Sequence, residues 1–283
     1  MKRQYHHLRG LLSIGNLWKH RFLSALREDL NKKITLTKKF LLVVLRYLKN
    51  RKKTLYVGFS GGKDSLVLLH ILSKFKNNFN IIPFFIEISG NTHEKNIEYS
   101  KKILSTLDFR KYLWLRVPRD FFADIATWGF PSWKRRWCMS IYKRQTLIKA
   151  IGEFEAVAVG DRIFDSTRRK QLILKRGIVE INKYWMQITI HPIAHFSIND
   201  VMEYIRKNGL KLNPLYEEIG GSGNCVYCPF NTNPEYYRRL KERYPEWFNK
   251  ILIAEKSQRK LKAAFYERNR PVRLLEVISK LST

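Results

Sequence analysis

The sequence predicts an α/β protein built on a parallel sheet, and three observations carry that reading. Short apolar, β-favouring runs at 54–59, 81–87, 112–117 and 155–160, with a shorter one near 188–193, alternate with helix-length segments at 64–76, 92–107, 140–151 and 197–208. Such alternation is the pattern of βαβ units with helices on both faces of the sheet. A glycine-rich turn, Ser60-Gly61-Gly62-Lys63-Asp64-Ser65, stands between the first run and the first helix. Further residues suited to chemistry fall just after the other runs, where open parallel sheets bind their ligands.

Composition sets the frame for these elements. A chain of 283 residues at 45% hydrophobic and 13% aromatic content is globular and holds one large domain with appendages or two small ones. Its 54 Lys and Arg against 24 Asp and Glu leave +30, a field that favours polyanions, nucleic acid first among them. A solvated basic surface is the plain alternative. Three cysteines are too few, and odd in number, for a disulfide framework. The longest apolar run, Phe40-Leu41-Leu42-Val43-Val44-Leu45, is too short to span a bilayer, and no signal peptide is evident. The cytoplasm is the expected location, with no membrane partner.

Three segments are expected: a basic helical extension at 1–53, a nucleotide-binding α/β domain at 54–215, and a cysteine-loop and helical region at 216–283. The first holds fifteen Lys or Arg against Glu28 and Asp29, a net of +13. Apolar residues from Leu11 to Leu30 and from Phe40 to Leu48 recur at helical spacing. Lys19, Arg21, Arg27, Lys38, Lys39, Arg46 and Lys49 fill the remaining faces. Two basic amphipathic helices would either grip nucleic acid (tRNA or DNA) or pack as an extension on the main domain.

The turn at 60–65 exposes backbone N–H groups at a helix N-terminus, where the dipole favours anions. Gly61 and Gly62 allow a phosphate close approach, Lys63 adds charge, and Ser60 and Ser65 add hydroxyls. Asp64 beside a phosphate cradle makes sense if Mg²⁺ sits between them. The spacing is not that of a Walker A loop, because Gly58 stands one residue too close and Asp64 follows the lysine.

After the fourth run, Gly160-Asp161-Arg162 leads to Asp165-Ser166-Thr167-Arg168-Arg169, guanidiniums suited to a bidentate anion. After the second comes Glu87-Ile88-Ser89-Gly90-Asn91-Thr92-His93-Glu94. Two more segments carry the thiols: Trp133-Lys134-Arg135-Arg136-Trp137-Cys138 with Lys143, and Asn213-Pro214-Leu215-Tyr216 followed by Cys225-Val226-Tyr227-Cys228-Pro229-Phe230.

The run at 60–65 resembles the SGGxDS pyrophosphate loop of the ATP pyrophosphatase (PP-loop) superfamily. The other motifs, in family order over roughly 54–230, resemble its phosphoadenosine-phosphosulfate (PAPS) reductase branch. That resemblance implies a Rossmann-like, doubly wound sheet of the adenine nucleotide alpha-hydrolase type, with helical N- and C-terminal appendages. It implies ATP with Mg²⁺, or a sulfonucleotide (PAPS or adenylylsulfate, APS), held by Ser60, Gly61, Gly62, Lys63, Asp64, Ser65, Glu87, Gly90, Gly160, Arg162, Ser166 and Arg169. Lys63, Asp64 and Arg162 would be the catalytic members.

The same resemblance brings Cys138 to Cys225 and Cys228. There they would hold a [4Fe-4S] cluster with one iron open, as in three-cysteine tRNA-thiolating relatives of the wider superfamily. Zinc, with His191 or His195 as fourth ligand, is the rival; three unrelated structural thiols remain a third possibility. No cysteine follows Cys228, whereas the thioredoxin-linked reductases attack sulfur with a tail cysteine. The expectation is therefore a nucleic-acid sulfurtransferase with a separate sulfur donor. A reductase of APS or PAPS and a non-catalytic nucleotide- and nucleic-acid-binding module are the alternatives.

Overall fold

The computed structural model describes residues 6–132, 135–257, 265–267 and 270–279; Trp133 and Lys134, part of the first thiol segment, lie outside them. In chain order the elements are α1 (His6–Ser24), α2 (Leu30–Lys49), β1 (Leu55–Gly58), α3 (Lys63–Ser73), β2 (Ile81–Glu87), α4 (Glu94–Thr106), β3 (Leu113–Arg116) and α5 (Phe121–Trp128). A seven-residue π-helix (Met139–Gln145) runs into α6 (Thr146–Ile151). Then follow β4 (Ala156–Ala158), α7 (Thr167–Arg176), β5 (Val179–Asn182), β6 (Gln187–Ile190), α8 (Ile198–Lys207) and α9 (Leu215–Ile219). The last are α10 (Pro234–Arg243), α11 (Pro245–Ser257), the hairpin β7 (Phe265–Glu267) and β8 (Arg270–Val272), and α12 (Leu274–Ser279).

Six strands form one mostly parallel sheet flanked by helices, in the order β3-β2-β1-β4-β6-β5. β1 pairs parallel with β2 on one side and β4 on the other, and β4 pairs parallel with β6. This is the α/β class the alternation predicts. With β5 left aside, the order is that of a doubly wound sheet whose direction of winding reverses between β1 and β4. A crevice at such a reversal, outside the carboxyl ends of the strands, is where ligands bind. One element departs from expectation. β5 is an antiparallel edge strand paired with β6 from Val179↔Ile190 to Asn182↔Gln187, and a short turn from Asn182 to Gln187 is all that this connection needs.

The chain divides into two compact units, each drawn from several stretches of the sequence. The first comprises residues 1–85, 100–114 and 148–212, and the second 86–99, 115–147 and 213–283. In the first, the N-terminal helices are built in. Trp18 and Phe22 pack on Phe40 at 5.6 and 5.2 Å, and Phe22 lies 4.1 Å from the His195 ring. Lys33, buried in α2, binds Asp200 at 2.7 Å, and Ser197 caps α8 in a reciprocal box with Asp200. The exposed faces of these helices keep Arg21, Arg27, Lys38, Lys39, Arg46 and Lys49 in solvent.

The second unit has an aromatic core. Phe121, Phe130, Trp137, Tyr142, Tyr227, Tyr237, Trp247, Phe248 and Phe265 are all buried in one cluster. Asp120 starts α5 by accepting from the N–H groups of Phe122 and Ala123, a cap that satisfies otherwise orphaned donors. Among the described residues no helix is long and apolar enough to cross a membrane.

Candidate functional site

Within the first unit, the Ser60–Ser65 loop leaves the carboxyl end of β1 and the Gly160–Arg162 stretch leaves β4, on either side of the winding reversal. Gly61 turns the chain at φ 74° and Gly62 caps α3. The Ser65 hydroxyl braces the turn: it donates to the Gly62 carbonyl at 2.8 Å and lies 3.3 Å from both the Ser60 amide and the Ser60 hydroxyl. The two segments touch so closely that Gly160 has no substitute. A Cβ there would stand 2.9 Å from the Asp64 carbonyl carbon and from the Ser65 amide nitrogen.

Around this point of approach runs a chain of alternating charges. Lys63 Nζ lies 3.1 Å from Asp64, and Asp64 Oδ1 lies 2.9 Å from Arg162 Nε. Arg162 Nη2 meets Asp165 at 2.7 Å, and Arg169 joins Asp165 and Asp161, each at 3.1 Å. Arg162 is buried, with its side chain 6% exposed. Its Nε is near Asp64 but misaligned, so Nε, Nη1 and Asp64 Oδ1 are buried without a hydrogen-bond partner. Unsatisfied groups of this kind cost free energy that an incoming ligand recovers. Two N–H groups suit a phosphate oxygen. The bare carboxylate oxygen suits Mg²⁺, which prefers oxygen ligands.

Ser166 does something that sequence reading did not foresee: its hydroxyl oxygen accepts from the Arg169 N–H at 3.1 Å and caps α7. Glu87 and Gly90 belong to the second unit. Glu87 ends β2 and pairs with Arg116 at 3.2 Å, while Gly90 backs onto the carboxylate of Asp120.

The thiols form the second centre. Cys138 precedes the π-helix, and Cys225 and Cys228 lie in the loop between α9 and α10. Burial pushes the Cys138 thiol up to about 11, with Cys225 and Cys228 adding to it. Burial and Cys225 raise Cys228 likewise. The Cys225 sulfur is the main cause holding the Lys143 ammonium above its ordinary value, with Cys228 and Cys138 adding to it against burial. All three sulfurs thus lie within electrostatic reach of one another and of one cation. They are not drawn into a coordination shell: among the described residues no three His, Cys, Asp or Glu side chains are disposed to hold a metal. The donor chemistry nonetheless fits an iron–sulfur group, which soft thiolates select, and Lys143 offsets their charge. His191 and His195 have other neighbours. His191 lies between Asp161 and Glu180, and His195 is buried against Phe22 with its pKa pushed down to about 4 by burial.

Asn91 holds the cysteine loop, a role that no motif announced. Its side chain accepts from the Tyr227 N–H at 2.8 Å and donates to the Tyr227 carbonyl at 2.9 Å, and its own carbonyl accepts from Val226. Thr92 donates to the Asn224 carbonyl at 3.0 Å. The segment after β2 is therefore a clamp on the thiol loop, and its polarity has a structural cause.

The family model for the phosphoadenosine phosphosulfate reductase domain matches residues 54–267. An uncharacterized protein of Methanocaldococcus jannaschii is 31% identical over 232 residues, 80% of this chain and 54% of that protein. A second one from the same organism is 28% identical over 70% of this chain and 41% of its own length. The chain thus spans about half the length of these curated relatives. Adenosine 5'-phosphosulfate reductase of Lysinibacillus sphaericus is 25% identical over 60% of this chain and 70% of its own. Among solved structures, the U34-tRNA thiolase NcsA of Methanococcus maripaludis with its [4Fe-4S] cluster aligns at TM-score 0.49 and 16% identity, covering 89% of each chain.

Proposed function

The chain belongs to the phosphoadenosine phosphosulfate reductase domain family, and on that premise we propose that it is an ATP-dependent enzyme that adenylates a nucleic acid for sulfur transfer. Named members of the family are enzymes. The observation that carries the reading is the buried Arg162 guanidinium at the winding reversal, paired with Asp64 at 2.9 Å but with Nε and Nη1 lacking a hydrogen-bond acceptor.

ATP lies with its pyrophosphate on the N–H groups of the Ser60–Ser65 turn, where Lys63 counters its charge. Arg162 donates to an α-phosphate oxygen. An oxygen of the nucleic acid attacks the α-phosphorus, the bond to the bridging oxygen breaks, and pyrophosphate leaves. Sulfide from a separate donor then attacks the acceptor carbon; a C–S bond forms, the C–O bond to AMP breaks, and no electrons are exchanged. Asp64 would hold Mg²⁺, which when bound neutralises developing phosphate charge. Cys138, Cys225 and Cys228 would hold a [4Fe-4S] cluster, which when bound supplies an open iron for sulfide.

Pyrophosphate release from ATP, measured with and without RNA or DNA, tests the first step. Release should require nucleic acid and vanish in Asp64→Asn and Lys63→Ala, with the fold kept. A wild-type protein that releases none with any RNA or DNA overturns the reading, and preserved activity in both variants overturns the site. Likeness to bacterial adenylylsulfate reductases favours one second reading, a reductase of sulfonucleotides; sulfite release from APS or PAPS would establish it.

A further inference from the structure

The end of α2 and the residues just ahead of β1 and β2 border an open cavity of about 340 Å³, with Leu45 and Leu48 among its lining and Lys49, Lys52, Lys53, Asn78, Phe79 and Asn80 around them. β1 and β2 run parallel from Leu55↔Ile81, so this is the edge where both strands begin. The Ser60–Ser65 loop lies past the other end of β1. The volume is at the small end of ligand pockets, suited to one nucleotide and not to a large cofactor.

Aromatic and cationic groups are interleaved here. Lys49 Nζ stands 5.6 Å from the centre of the half-buried Phe79 ring, and the exposed Arg51 guanidinium lies 3.7 Å from the Tyr47 ring in the adjoining cleft. Lys53 is neutralised by Glu155 at 2.8 Å, and among the described lining residues none is acidic. Lys52 adopts φ 54°, a left-handed conformation that glycine takes more easily at a helix end. The amides of Lys52 and Lys53 close the last turn of α2 on the Lys49 and Leu48 carbonyls. That closure accounts for the left-handed residue and holds the Lys52 side chain on the rim of the cavity.

The geometry points to a site for one unpaired nucleotide of a nucleic-acid strand, its base stacked on Phe79 and its flanking phosphates on Lys49 and Lys52. Lys49 exchanges the ring for a phosphate as the base enters. Base–aromatic stacking tolerates any sequence, because every base has a π-face. The nucleotide held here anchors the strand and is not the one modified. The inference rests on the nucleic-acid reading above and adds where the strand is gripped.

Fluorescence anisotropy with labelled single-stranded RNA, the matched DNA strand and their duplexes tests it. Phe79→Leu keeps an apolar side chain and removes the π-face, so it should weaken single-strand binding about tenfold, with RNA and DNA alike. Lys49→Ala with Lys52→Ala should flatten the log–log salt dependence by about 0.7 for each phosphate no longer neutralised. ATP binding at the Ser60–Ser65 loop should be unchanged in every variant, which shows that each one folds. If the wild type binds strands with steep salt dependence and both variants match it, the pocket falls and the nucleic-acid reading survives. If the wild type binds no oligonucleotide, both fall. Binding instead to phosphatidylserine-containing vesicles, abolished in the same variants, would make this a membrane-facing site and overturn the proposal.

Discussion

The charged centre at the Ser60–Ser65 loop of the first unit and the thiol centre of the second are held by opposite kinds of force. The first is a ladder of ion pairs with one crowded glycine, Lys63 to Asp64 to Arg162 to Asp165 to Arg169. The second is a loop clamped by neutral hydrogen bonds from Asn91 and bedded in aromatic packing. Charges that compensate one another without full hydrogen bonding are ready to exchange partners with a ligand. A loop tied by buried amides is fixed in place, which suits sulfurs that must keep their spacing. The contrast predicts where each unit is vulnerable.

Arg162→Ala should break the first centre most. Removing the buried guanidinium leaves Asp64 with Lys63 alone and Asp165 with Arg169 alone, one negative charge in excess, at a cost of up to about 3 kcal/mol. Urea unfolding should show that loss, together with loss of ATP binding. Arg162→Lys restores the charge but not the fork, so it should recover stability more than affinity. If Arg162→Ala unfolds at the wild-type midpoint, the ladder does not hold the loop.

Acid probes the first unit by another route. Burial, the largest cause, pushes His195 and His70 down to about 4, while an unfolded histidine titrates near 6.5. Between those values the unfolded chain binds protons that the folded one refuses. Stability is therefore intact above about pH 6.5 and falls as pH drops towards 4, by about 3 kcal/mol for a fully buried imidazole. Asp200 adds in the same direction at lower pH: burial raises it, but hydrogen bonds from Lys33 and Ser197 outweigh that and hold it below its ordinary value. His195→Phe, which keeps a ring against Phe22, should flatten the decline measured by urea titration from pH 7.5 to 4.5. An unchanged decline would place the acid sensitivity elsewhere.

Asn91→Ala makes the matching cut in the second unit. It removes the two hydrogen bonds that Asn91 makes with the Tyr227 backbone, each worth about 1 kcal/mol. Cys225 and Cys228 should then react faster with a thiol reagent, while ATP affinity at the first centre stays level. Equal labelling rates in the two proteins would remove Asn91 from the thiol centre.

That residue also marks where the sequence stops being readable. The Ser60–Ser65 turn is legible because six consecutive residues supply its glycines, hydroxyls and charges, and the flanking strand and helix signal themselves by pattern. Gly160 is legible as a glycine leaving a strand, but its contact with the Asp64 and Ser65 backbone is not, because it joins segments almost a hundred residues apart. Asn91 meets Tyr227 across 136 residues, and Lys143 comes within electrostatic reach of Cys225 across 82; no local pattern encodes either. β5 escapes notice because a four-residue strand next to a short turn has too little alternation to stand out.

Ser166 carries the smallest expected effect and the sharpest test of reading a motif by spacing. Its place after Arg162 suggests a hydroxyl donating to a phosphate, yet its oxygen accepts from the Arg169 amide and caps α7. Loss of a serine cap costs about 1 kcal/mol in alanine and only a few tenths in glycine. A purely capping role therefore predicts that Ser166→Ala lowers the unfolding free energy by about that amount and that Ser166→Gly largely restores it. ATP affinity should be unchanged in both. A phosphate donor gives the opposite pairing, because neither variant has a hydroxyl: both lose affinity together, whatever their stability. Isothermal titration with ATP beside urea unfolding separates the two. Equal loss of affinity in alanine and glycine would return Ser166 to the ligand and extend the anion site from Arg162 to the start of α7.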